Sequence, residues 1–120
     1  MLKDSFYHIT SSDHTDGNIT VAFEFDSDHA IFSGHFPGQP VVPGACMLQI
    51  VKEVLAEALG TLCQLKKAGN LKFIAPVDPR MAGDTELKIS YKNIETGIQV
   101  NAQLNVNGVT CFKMQGVFII

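Results

Sequence analysis

Groups able to do acid–base and anion-binding chemistry fall together in the middle of the chain. His35 lies in Gly34-His35-Phe36-Pro37-Gly38-Gln39-Pro40-Val41-Val42-Pro43-Gly44. Proline fixes φ and glycine permits unusual φ, so this loop has a specific shape. A stiff loop beside a histidine is what a preorganised site needs; turn chemistry alone would account for the same residues as a tight crossover. An imidazole titrates near neutral pH and can serve as a base. Pro43 suits a first helical turn, where a missing N–H costs nothing. The backbone N–H groups of Gly44 and Ala45 are then free, at the positive end of a helix dipole. Such a place suits a developing oxyanion.

Gln49, Glu53 and Glu57 follow at intervals of four, one polar stripe on the same helix. A base and an oxyanion site together are what α-proton abstraction from a thioester requires. β-Elimination of water also needs an acid for the leaving hydroxyl. Gln49 cannot supply that proton; Glu53 can, about 6 Å further along the helix. The bland alternatives stay open: a structural histidine bonded to loop backbone, and a solvated stripe. His8, His14 and His29 have no comparable surroundings, although His29 is near enough to line the loop.

These residues need a scaffold. Met47, Ile50, Val51, Val54, Leu55, Ala58 and Leu59 form a wide apolar face, predicting a helix from Gly44 to Leu59 that stops at Gly60. So little of it is polar that most of it must be buried. Before it, residues 5–9 read as a short strand, 10–18 as a polar turn, and 19–26 as a strand with Ile19, Val21, Phe23 and Phe25 inward. Asp28 to Phe32 suggests one helical turn. After it come a loop with Lys66, Lys67, Gly69 and Asn70, a short strand Leu71–Ala75, and three alternating strands. Thr96-Gly97 and Asn107-Gly108 mark the hairpins between those three. Strand, strand, helix, then four strands predicts an α+β domain over 1–120, one long helix packed on an antiparallel sheet. One helix covers only one face of such a sheet, so a second subunit is expected.

Length and composition bound the rest. A chain of 120 residues suggests one domain, and 46 % hydrophobic with 18 % charged residues suits a packed core. A net charge of −3 argues against nucleic acid, which needs clustered Lys and Arg. No run spans a bilayer and the N-terminus lacks an apolar leader core, so the cytoplasm is expected. Cys46, Cys63 and Cys111 match no metal motif and read as buried reduced thiols rather than nucleophiles.

The run Gly34-His35-Phe36-Pro37-Gly38 followed by Pro40-Val41-Val42-Pro43-Gly44 resembles the signature of the 3-hydroxyacyl-[acyl carrier protein] dehydratases of fatty acid synthesis. Weaker matches continue through Leu71-Lys72-Phe73, Pro76-Val77 and Gly83-Asp84 to the final hairpins. The resemblance implies a hotdog fold, a sheet wrapped around one central helix. It also implies a homodimer with a continuous sheet, and extends to a trimer of dimers or a heterodimer with a paralogue. Sites at the dimer interface would eliminate water from a 3-hydroxyacyl chain on the phosphopantetheine of acyl carrier protein or CoA, with no metal or organic cofactor. It places His35 as catalytic histidine and Gly44 as the thioester-carbonyl donor. Phe36 and Ala45 join them as substrate-binding residues.

The chain departs from that family in places. The acidic residue expected fourteen positions after the histidine is Gln49, and the glutamine often found one turn later is Glu53. The two residue types look exchanged, which makes Glu53 a displaced acid and Gln49 a holder of water or the substrate hydroxyl. Arg80-Met81-Ala82 looks inserted, and Ile74-Ala75 stands where basic residues are common; Lys66, Lys67, Lys72 and Arg80 are the replacements for carrier docking. The leading expectation is a hydro-lyase. The alternatives are a degenerate paralogue that binds acyl thioesters or pairs with an active dehydratase subunit, and an acyl thioesterase.

Overall fold

The computed structural model describes the backbone of residues 2–34 and 40–120, and the side chains of 2–32 and 40–120. His35 and Phe36 therefore lie outside the described residues. In chain order the elements are β1 (Tyr7–Thr15), β2 (Asn18–Phe25), α1 (Ala30–Gly34), α2 (Gly44–Leu59), β3 (Gln64–Phe73), β4 (Thr85–Ile94), β5 (Gly97–Val106) and β6 (Val109–Ile119). The strands form an antiparallel sheet in the order β1-β2-β4-β5-β6-β3. This is the arrangement expected of a hotdog fold.

Period-two alternation decides which residues face α2. Ile19, Val21 and Phe23 of β2, Leu87 and Ile89 of β4, and all of Ile98, Val100, Ala102, Leu104 and Val106 of β5 are buried. Phe25 and Tyr91, at the ends of the inward rows, are half-buried. Opposite them α2 buries Met47, Ile50, Val51, Val54 and Leu55. Each such side chain taken fully from water contributes about 1.5–3 kcal/mol, so the seam along α2 fixes where its polar stripe must emerge. The helix ends at Gly60, whose φ of 71° is left-handed. Thr61 N–H donates to Ala56 O at 3.2 Å and Gly60 N–H to Glu57 O at 3.3 Å, a Schellman closure.

The two longest stretches that differ from the sequence expectation are both at sheet edges. Residues 10–15 continue β1 rather than forming a turn; the turn is Asp16-Gly17, both at positive φ (47° and 79°). The segment expected as a loop through Lys66 and Asn70 is β3, paired among the described residues with β6 alone and broken by irregularities at Leu65/Lys67 and Ala68/Asn70. An edge strand exposed on both faces has no reason to alternate, so its composition reads as loop.

Candidate active site

The head of α2 is held from below. Val42 is buried and its N–H donates to the carbonyl of buried Val77 at 2.8 Å. Pro43 follows as the N-cap, with φ −62° and ψ 144°. The first bonds into the helix run from Cys46 N–H (3.0 Å) and Met47 N–H (3.2 Å) to Pro43 O. The amides of Gly44 and Ala45 precede them, so they are the leading donors of the dipole, as expected from Pro43-Gly44.

Phe73, the last residue of β3, lies over this helix head. A Cβ on Gly44 would stand 2.7 Å from both Cε1 and Cζ of that ring. The ring packs on Phe112 at a centroid distance of 5.2 Å, yet Phe73 is 57 % exposed. Gly44→Ala is therefore expected to push an exposed ring aside rather than break the core. Its stability should stay within about 1 kcal/mol of wild type, since alanine also favours the helix over glycine by a similar amount. A thioester site at these amides should lose about tenfold in kcat/KM, read by steady-state kinetics beside a thermal melt.

Gln49 and Glu53 sit on the next two turns below Ala45. Glu57 is solvated, as an ordinary stripe would be, but Glu53 is only 4 % exposed. Its carboxylate is saturated by donors, two to each oxygen. Oε1 accepts from Lys3 N–H (2.9 Å) and the Tyr7 hydroxyl (3.1 Å); Oε2 accepts from Leu2 N–H (2.9 Å) and Gln49 Nε2 (2.7 Å). Burial pushes the Glu53 carboxyl up, but the Leu2, Gln49, Lys3 and Tyr7 hydrogen bonds outweigh it and leave it below the ordinary carboxylate range. The same contact, after burial itself, drives the Tyr7 phenol far upward. At the rim Lys3 Nζ pairs with Glu57 at 3.0 Å, an exposed bridge of little energetic weight.

Sequence reasoning found Gln49 and Glu53 but missed their partners. Two of the donors are backbone amides about fifty residues away, and no side-chain pattern announces them. The linkage is testable. A carboxyl whose folded pKa is depressed gives stability that is complete above the unfolded pKa and is lost as pH falls through the folded one. Unfolding followed from neutral pH into the acid range should therefore show wild type losing stability that Glu53→Gln lacks throughout.

The remaining candidates are occupied by structure. His29 Nδ1 accepts from Ile31 N–H at 3.1 Å, inside the first turn of α1, and its ring meets Phe6 edge-on. His14 Nε2 lies 2.6 Å from the Tyr91 hydroxyl. Cys63 and Cys111 are buried and Cys46 is half-buried. Burial pushes all three thiols up, the opposite of what a nucleophilic thiolate needs. Of the basic residues expected at a docking surface, Arg80 is engaged by Asp78 at 2.9 Å. Lys72 instead joins Lys88 and Lys113 around a cleft of about 510 Å³ on the outer sheet face. Among the described residues no helix is long and apolar enough to cross a membrane.

Known proteins share this fold and its sequence pattern. Residues 11–111 match the family model of the ApeI-like proteins, described as ApeI dehydratase. The chain is 37 % identical over 97 residues to the 3-hydroxyacyl-[acyl-carrier-protein] dehydratase FabZ of Syntrophomonas wolfei, covering 69 % of this chain and 66 % of that one. It is 34 % identical over 102 residues to the same enzyme of Latilactobacillus sakei, covering 78 % and 71 %. The chain thus spans about two thirds of the length of these curated relatives. A solved structure, the dehydratase heterocomplex ApeI:P from Xenorhabdus doucetiae, superposes with a TM-score of 0.75 over 94 % of this chain and 97 % of that chain. At 17 % identity that likeness speaks for the hotdog fold. The histidine-loop signature, the helix head beneath Phe73 and the match over most of the chain converge: it belongs to the ApeI-like dehydratase family.

Proposed function

We propose that the chain is a 3-hydroxyacyl thioester dehydratase. The observation that carries this reading is the family match over residues 11–111, which contains the whole histidine loop and the head of α2. His35 takes the proton from C2, and the amides of Gly44 and Ala45 hold the thioester carbonyl as it becomes an enolate. The C3–O bond then breaks, C2=C3 forms, and the leaving hydroxyl departs as water. Gln49 binds that hydroxyl, and Phe36 flanks the acyl chain. Glu53, ionised and donor-saturated, has no proton to give. The proton His35 has taken is the one returned to the leaving oxygen. The names of the relatives favour an acyl chain on acyl carrier protein over CoA.

The site is completed by a second subunit. The outer edge of β3 exposes Leu71 and Phe73, with Ile74 beside them, and an exposed apolar edge strand invites another strand. A homodimer is the first reading. A heterodimer with a paralogue that brings a carboxylic acid is the second; it is favoured by the amide at position 49, and a related fold exists as a dehydratase heterocomplex. The test is to incubate the purified chain with a 3-hydroxyacyl-[acyl carrier protein] and follow the enoyl thioester. Enoyl product is expected. Free thiol without enoyl product would mean a thioesterase, and product only with an added paralogue would select the heterodimer.

A further inference from the structure

Glu53 stands in a chain of contacts that the reaction above does not use. Its carboxylate is almost wholly buried, yet it is not orphaned: Leu2, Lys3, Tyr7 and Gln49 occupy its two oxygens. An ionised carboxylate can only accept hydrogen bonds. Whatever faces it must present a donor, so the Gln49 amide has to turn its NH2 inward, as the 2.7 Å contact from Nε2 to Glu53 Oε2 has it. The amide is planar, so its carbonyl Oε1 points away from Glu53. Among the described residues Oε1 takes no donor.

We infer that Glu53 is a positioning residue which, clamped by the N-terminal segment, fixes Gln49 as a hydrogen-bond acceptor and so selects substrates carrying a donor at C3. A 3-hydroxyl has a proton to give to Gln49 Oε1; a 3-oxo group has none and would set two lone pairs against each other. A free glutamine could flip to suit either ligand. This one cannot, because flipping would place its carbonyl oxygen against the Glu53 anion. The clamp is backbone-built: residues 2 and 3 give their amides, and Tyr7, 0 % exposed, gives its hydroxyl from the start of β1. The inference rests on the dehydratase reading for its ligand, but not for the orientation of Gln49.

The test uses amide isosteres of acyl-pantetheine, which neither eliminate nor hydrolyse, carrying a 3-hydroxyl or a 3-oxo group. Wild type should bind the hydroxy form at least about tenfold tighter, the worth of one matched hydrogen bond over a mismatched one. Glu53→Gln, which keeps shape and an acceptor for the N-terminal amides, should bring the two affinities within about twofold, because the Gln49 amide is then free to turn either way. A merely structural loss would weaken both ligands alike and keep the ratio, and that result overturns the proposal. So does a wild type with no preference. The second measurement needs no variant and no ligand. In 15N-labelled wild type the Gln49 side-chain NH2 should resonate apart from solvated glutamines and exchange slowly. A free-amide signal there overturns the inference even if turnover is intact. A bonded signal with no enoyl product would instead count against the dehydratase reading alone.

Discussion

His35→Ala is expected to lower dehydration of a 3-hydroxyacyl thioester by about 10²–10⁴-fold, the usual loss when a general base is removed. The unfolding midpoint should stay where it is, because the buried row of α2 through Met47, Ile50, Val51, Val54 and Leu55 is left untouched. If His35 were a structural histidine tying the loop to backbone, its removal would act on the melt first and on turnover only through it. An essential base also predicts a pH profile for kcat/KM that falls on the acid side as the imidazole takes up a proton. The check is a steady-state enoyl assay of both proteins across pH, with thermal melts beside it.

The second large effect runs the other way. Exchanging the pair, Gln49→Glu with Glu53→Gln, restores the arrangement of the wider dehydratase family and puts an acid on the turn nearest Gly44 and Ala45. Turnover should rise about 10²-fold or more, because a true acid then protonates the leaving hydroxyl. Activity should fall as pH rises through the pKa of the new carboxyl, which must be protonated to work. Gln49→Glu alone is a poorer experiment. It sets two carboxyls at the 2.7 Å contact, and they would share one proton between themselves rather than offer it to the substrate. The exchange costs stability, since the amide carbonyl introduced at position 53 can serve only two of the three outside donors Leu2, Lys3 and Tyr7; an unmet buried donor costs about 1–3 kcal/mol. A melt lowered by that amount together with a raised rate is the expected pairing.

Much of the scaffold is legible in the sequence because burial writes itself as periodicity. The seam of α2 through Met47, Ile50, Val51, Val54 and Leu55 is written at helical spacing, and the alternation of β5 from Ile98 to Val106 matches its buried row. Asn107-Gly108 turns as the dipeptide predicts, both residues at positive φ. The edges are not legible. Among the described residues β3 has one neighbour strand, and its Lys66, Lys67 and Asn70 are all exposed, so they carry no alternation. The sequence predicts a turn at Thr96-Gly97, but Ile94 pairs with Gly97, so Glu95-Thr96 are the loop residues.

For the site, residue types locate α2 and its stripe but not its wiring. By type alone, Gln49 and Glu53 read as an exchanged pair with a displaced acid. Only the fold brings the backbone of Leu2 and Lys3 against Glu53, and those amides are among the donors that hold its carboxyl below the ordinary range. A family pattern can mark His35 and Gly44, because both are carried by local sequence. A contact across about fifty positions, made by amides that nearly every residue possesses, leaves no such mark.

Proton abstraction can be separated from loss of water by isotope exchange, and that measurement bears most directly on the role of the histidine loop. In D2O the purified chain should wash deuterium into C2 of a 3-hydroxyacyl thioester, since that step needs only the imidazole of His35 and the amides of Gly44 and Ala45, with no acid involved. The exchange should vanish in His35→Ala. Thiol release with no deuterium at C2, or exchange that survives the loss of His35, would contradict it.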